Sequence, residues 1–364
     1  MPTLYGRRWT RAELLASVGD MAQVAGIRES RLVGGRADGV RALDFNCGDG
    51  FRFTVLPDRC MDIPFAEYGG APLAWVSRAG IAGPQYYDPA GEGWLRTFFG
   101  GLLTTCGLRQ VGAPCVDEGE ELGMHGRIST TPAEEVAFET RWDGDEYILQ
   151  ARGTMREAVL YGEDLRLNRE ITTRAGARSL LVRDRVENRG MSSSPLMMLY
   201  HVNAGFPLLG PDSRLLVASR DLQAKDERSG QAASEHRRFG PPTPEWREVN
   251  WAHDVQSDEN GYCVAAIVNE ALSFPFGQGL GLALRWRSDQ LNTLNQWKQI
   301  GHGDYTVGIE PANCHTLGRA WERENGALQF IEPGETRDFE VEISALVGAN
   351  EIRDFEAGMP RLTP

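Results

Sequence analysis

The chain has 364 residues, 41% hydrophobic and 24% charged, a composition that suits a large packed core. Its formal net charge of −13 repels phosphate backbones and anionic headgroups, which sets nucleic acid and membranes aside as partners. Six cysteines without C-x-x-C spacing, and no apolar leader or 18-residue apolar run, predict a cytoplasmic protein with reduced thiols.

Residues 1–35 read as an N-terminal extension. Within it Thr10 and Glu13 have the spacing of a capping box and "AELLASV" carries apolar residues at helical spacing, which predicts a short helix lying outside the main fold. From about residue 40 the period changes to two. "RALDFN" and "FRFTVL" flank the turn former "CGDG", and "VAFETRW" and "EYILQARGT" flank "DGD", both hairpin patterns. "LRLNREITT" and "SLLVRDRVEN" follow across "RAGAR", and "LQFIE" and "RDFEVEISALV" across "PGET", where Pro-Gly demands a turn. "LMMLYHVN", "RLLVAS", "YCVAAIVN", "LGLALRWR" and "TLNQWKQI" add further strands. Strands at this spacing, without alternating helices, predict an all-β chain built as an antiparallel β-sandwich. A single domain over 36–350 and a tail over 351–364 are expected. Two irregular stretches interrupt the strands: the aromatic and glycine-rich 72–107, suited to covering one mouth of a cleft, and the polar, Pro-rich 220–260, read as a surface excursion.

Three places carry chemistry-bearing residues where a strand meets a turn. In "LGMHGRIS", His125 precedes Gly126, which permits close approach of a ligand or of another backbone, and Arg127 follows as a fixed cation. A turn histidine beside a surface arginine is an equally good reading. In "LMMLYHVNAGFPLL", alternation puts Leu196, Met198, Tyr200 and Val202 on one face and Met197, Leu199, His201 and Asn203 on the other. Two polar residues at the end of an apolar strand need partners, since each unsatisfied buried group costs about 1–3 kcal/mol. In "GDYTVGIEPANCH", Glu310 shares a face with Gly308, which clears space beside it, and Pro311 ends the ladder. The plain alternative is an exposed glutamate at a strand end.

"MHGRIS", "YHVN" and "VGIEP", in that order and followed by a late "PGE" hairpin, resemble the landmarks of the aldose 1-epimerase (galactose mutarotase) superfamily. With "DRCMDI", "GGLLTTCGL" and "GIEPANC", the chain looks most like a divergent bacterial branch of it, from about residue 40 to 348. The resemblance implies a galactose mutarotase-like supersandwich and an isomerase that interconverts sugar anomers without metal or cofactor. His201 would be the general acid towards the ring oxygen and Glu310 the base on the anomeric hydroxyl. An unperturbed histidine near pKa 6.5 and an ionised glutamate suit those roles at neutral pH. His125 and Arg127 would help hold the sugar. Asn203, Arg59, Asp62, Trp297, Lys298, Asn313 and Arg319 are further expected sugar contacts.

The chain departs from better-known members around the second histidine, where Tyr200 precedes it and "VNAGF" follows. The identity of the sugar therefore does not carry over, and a homodimer is neither required nor excluded. Two other readings remain: a non-catalytic carbohydrate-binding protein on the same fold, and a metal enzyme using His125, His201, Glu310 and His315. The second lacks H-x-H or H-x-x-x-H spacing.

Overall fold

The alternating stretches between residues 134 and 188 form long antiparallel strands in a computed structural model, which describes residues 1–275 and 277–362. Glu134–Asp143, Glu146–Ala158, Asp164–Arg174 and Ser179–Asn188 lie in chain order in one sheet. Thr336–Val347, Gly277–Arg287, Tyr262–Phe274 and Arg214–Val217 extend it to eight strands. A second sheet has six strands in the order Ser219–Ala224, Val249–Val255, Thr293–Gly301, Asp304–Ala312, Met197–Gly205 and Thr104–Leu108. A third sheet joins Gly26–Arg31, Arg41–Asn46, Phe51–Leu56, Asp62–Tyr68 and Ala71–Pro72.

The eight- and six-stranded sheets share one apolar core. Leu149, Leu167 and Val182 of the first pack in the same cluster as Met198, Tyr200, Val202, Val307 and Ile309 of the second. The other face of the six-stranded sheet carries Met197, Leu199 and Ala312 into a separate cluster with Trp94 and Phe98. The faces assigned by alternation around His201 are therefore the faces observed. A buried ionic link spans all three sheets. Arg169 bonds Asp184 and Asp62, Tyr200 donates to Asp184 at 2.7 Å, and Thr105 donates twice to Asp62.

Four sequence expectations need correction. The capping box of Thr10 and Glu13 forms as read, but the helix Arg11–Ser17 does not lie outside the fold: Leu14 is 3% exposed and packs into the main core with Leu4 and Met21. The extension also supplies Gly26–Arg31 to a sheet. The tail contains a helix, Ala349–Ala357, which buries Ile352 against Val268 and Leu346. Pro333-Gly334 does turn the chain, but Phe330–Ile331 pairs with Ser194–Pro195 rather than with the strand that follows. Finally, 220–260 is only partly an excursion, because Val249–Val255 pairs with Thr293–Gly301 and buries Trp251.

No cysteine among the described residues is bonded to another, and no helix there is long and apolar enough to cross a membrane.

Candidate functional site

His201 and Glu310 stand on adjacent antiparallel strands, and their register brings them side by side on the face turned away from the sandwich core. His201 Nε2 lies 3.2 Å from Glu310 Oε1. The contact lacks the alignment of a hydrogen bond, and Glu310 Oε1, His201 Nδ1 and the neighbouring Asn203 Oδ1 are each buried without a hydrogen-bond partner among the described residues. Three orphaned polar atoms at one spot are costly, at about 1–3 kcal/mol each. Asn203 is itself fixed by donating to the Gly101 and His201 carbonyls.

Gly308 makes the pair possible. A Cβ on it would overlap Glu310 Oε1 and come within 3.2 Å of His201 Cε1. Because the overlapped atom ends a flexible side chain, Gly308→Ala is expected to fold and to push the carboxylate aside. The crystal structure and melting temperature of the variant check this; an unmoved carboxylate would show that the site has room for a Cβ at this position.

The strand around Trp297 and the irregular stretch 72–107 close the site with aromatic rings. Phe98 lies 5.1 Å and Trp297 5.5 Å from the His201 ring, while Trp94 lies 4.6 Å from His125. His125 itself is 5.9 Å from His201. Its Nδ1 accepts from Gly112 N at 3.3 Å, which leaves the proton on Nε2. His125 adopts a left-handed conformation, and Gly126 after it is needed because the Gly107 and Gln110 carbonyls occupy the space of a Cβ. The glycine thus serves backbone packing. Arg127 is exposed, and its charge acts on Tyr87 and Glu157.

Burial pushes Glu310 well above the ordinary carboxylate range; Lys225 partly offsets this, and Glu248 adds to it. Burial also lowers His201 to about 3 and holds His125 well below the ordinary histidine value, with His201 and Lys225 adding to the latter. The expectation of an unperturbed histidine beside an ionised glutamate is therefore corrected. Desolvation thus favours the neutral form of each member of the pair.

Several expected sugar contacts lie elsewhere. Arg59 is 1% exposed and donates to the carbonyls of Ser129, Ala82 and Thr97, so it staples loops together. Asp62 belongs to the buried link with Arg169. Lys298 donates to the Glu235 and Arg238 carbonyls, and Asn313 to Leu196 O while accepting from Met198 N. Arg319 is held by Asp117 and Glu120. Their hydrogen-bonding groups are engaged by the fold. His315 pairs with Glu322 at 3.0 Å, and no three His, Cys, Asp or Glu side chains among the described residues are arranged to hold a metal ion.

Lys225 went unremarked in the sequence, whereas the enclosing rings of Trp75, Trp94 and Phe98 fall in the aromatic stretch 72–107 that was expected to cover a cleft mouth. A signal for Lys225 exists: it is one of only two lysines among 38 basic residues. A hollow of about 790 Å³ lies on the N-terminal sheet, lined by Phe45, Phe53 and Phe65 and not by His125, His201 or Glu310.

The architecture has solved counterparts. A candidate aldose 1-epimerase from Klebsiella pneumoniae is 25% identical, with a TM-score of 0.85 over 91% of this chain and 86% of that one. A galactose mutarotase-like protein from Clostridium acetobutylicum (12% identity, TM-score 0.55, 89% and 99% covered) shares the fold. So does a galactose 1-epimerase from Lactobacillus acidophilus (11%, 0.54, 89% and 99%). Comparison with curated proteins gives no match. The model of a domain of unknown function, DUF4432, matches residues 37–345. On that span the chain belongs to the DUF4432 family, built on a galactose mutarotase-like β-sandwich.

Proposed function

We propose that the chain is an aldose 1-epimerase-like isomerase whose acid–base pair is His201 and Glu310. The observation that supports this most is the cluster of orphaned polar atoms on His201, Asn203 and Glu310, facing a wall of aromatic rings. Anomer exchange requires one group to remove the anomeric hydroxyl proton and another to protonate the ring oxygen, so a base and an acid must reach the same sugar. Rotation about the bond to the anomeric carbon and reclosure then invert the anomer.

The proton inventory of the pair fits this task. Neutral His201 with protonated Glu310 holds the same number of protons as imidazolium with carboxylate. A sugar whose hydroxyls replace the missing hydrogen bonds shifts the single transferable proton from Glu310 to His201, without exchange with solvent. Carboxylate and imidazolium then act as base and acid. His125, with its proton on Nε2, is placed to donate to a sugar oxygen, and Trp297 offers a ring face.

His201 and Glu310 are only 4% and 2% exposed, so a sugar reaches them after Phe98, Trp94 or Trp297 moves. That burial also favours a second reading, a carbohydrate-binding protein without turnover. NMR exchange spectroscopy on a panel of neutral and acidic aldoses separates the two. Accelerated exchange for at least one sugar is expected; binding with rates equal to buffer across the panel would leave only the second reading.

A further inference from the structure

Lys225 follows the strand Ser219–Ala224 and continues its ladder by donating its backbone N–H to Asn250 O at 3.0 Å. Residues that oppose one another across antiparallel strands share a face, so the register can be followed across the whole sheet. One row runs Lys225, Asn250, Trp297, Gly308, Asn203; the adjacent row runs Gln223, Ala252, Asn295, Glu310, with His201 next in line. Lys225 thus stands on the same face as His201 and Glu310. Three strand spacings, roughly 14 Å at about 4.8 Å each, separate its backbone from that of Glu310, with Trp297 between.

The side chain lines a small hollow of about 20 Å³ with Asn250, Asn295, His315 and Thr316, and Asn295 is the residue directly opposite Glu310. Its ammonium has no hydrogen bond or ion pair among the described residues, with Asp226 beside it in sequence acting only through its charge. The chain's other lysine, Lys298, is held by two carbonyls, and Arg59 and Arg319 are consumed inside the fold. Arg127 directs its charge towards Tyr87 and Glu157. Of these cations, Lys225 is the one left uncommitted on the face that carries His201 and Glu310.

We propose that Lys225 receives the carboxylate of an acidic sugar, so that the substrate is a hexuronate-type aldose whose anomeric end lies at Glu310 and His201. This rests on the isomerase reading above. A single compact ammonium in a tight hollow matches a monoanion; a phosphate dianion asks for several donors and meets more repulsion from a chain of net charge −13.

The test measures Kd by calorimetry and exchange rates by NMR for a hexuronate, the matching neutral hexose and its 6-phosphate, with wild type, Lys225→Gln and Lys225→Arg. Wild type is expected to bind the hexuronate at least ten times more tightly than either other sugar. Lys225→Gln should cut the hexuronate-to-hexose ratio of kcat/KM at least tenfold, mostly through KM, and Lys225→Arg should restore part of it. Equal effects of Lys225→Gln on both sugars would mean that Lys225 only tunes Glu310, and would overturn the proposal. Preference for the neutral sugar or the phosphate, or no binding of the hexuronate, overturns it as well. Absence of exchange with every sugar defeats the isomerase reading alone, because the Kd comparison still decides the anion.

Discussion

Glu310→Gln is expected to lower the rate of anomer exchange by about 10²–10⁴-fold, the usual contribution of a positioned acid or base. Folding should be undisturbed, since an amide closely matches the neutral carboxyl that burial favours there. The pH profile gives an independent check. His201 is depressed to about 3 and Glu310 is raised, so the pair carries one transferable proton over a broad window. Below about pH 3 it gains a second proton, and above the raised Glu310 value it loses the one it needs. Wild-type kcat/KM should therefore show no acid limb at the ordinary glutamate value of about 4.3, falling only as pH approaches about 3. The same shifts act on stability with opposite signs. A depressed histidine binds fewer protons folded than unfolded, so its contribution grows as pH rises from about 3 to 6.5. A raised glutamate binds more protons folded, so its contribution declines as pH rises above 4.5. Glu310→Gln removes the second slope only. Unchanged turnover in this variant would remove Glu310 from the chemistry.

The strands and the faces of this site were legible because a two-residue period is a strong local signal, and because His201 and Glu310 each break an apolar pattern. The expected strand end at Glu310 is corrected: the strand runs on through Pro311 to Ala312, which pairs on both sides, and His201 lies in the middle of Met197–Gly205. Gly308 could be read for the same reason: a glycine two residues before a buried carboxylate has few other uses in a strand. Partners set by distant segments were not legible. Arg59 and Arg319 look like ligand-binding cations in sequence, yet each meets carbonyls or carboxylates tens to hundreds of residues away. Phe330–Ile331 pairs with Ser194–Pro195 for a similar reason: the Pro-Gly turn fixes only where the chain reverses, not which strand it meets. Lys225 was hidden inside a polar stretch whose ends turn out to be strands of the sheet that carries His201 and Glu310, and polarity alone did not separate the two.

Replacing Arg169 is expected to have the largest effect on stability. Its guanidinium donates to both Asp184 oxygens at 2.9 and 2.6 Å, to Asp62 Oδ1 at 3.0 Å and to Cys60 O at 3.0 Å, and all three charged side chains are fully buried. Arg169→Met leaves two buried carboxylates without their cation, which costs about 3–5 kcal/mol. Urea unfolding should show the midpoint falling with little change in slope. The sign of its pH dependence follows from Asp62. Burial already raises this carboxyl to about 6 while Arg169 pulls it down, so losing Arg169 raises it further. The folded variant then holds a proton that the unfolded chain has released, and its stability falls as pH rises through that window. The deficit should be smaller at pH 5 than at pH 8. Tyr200 donates to Asp184 and is the neighbour of His201, so loosening this link also loosens the strand that carries the proposed acid. Arg169→Met should for that reason lose exchange activity even below its unfolding midpoint. A variant with wild-type midpoint and slope would show that the three-sheet link is dispensable, and that the aromatic wall and apolar core alone hold His201 in place.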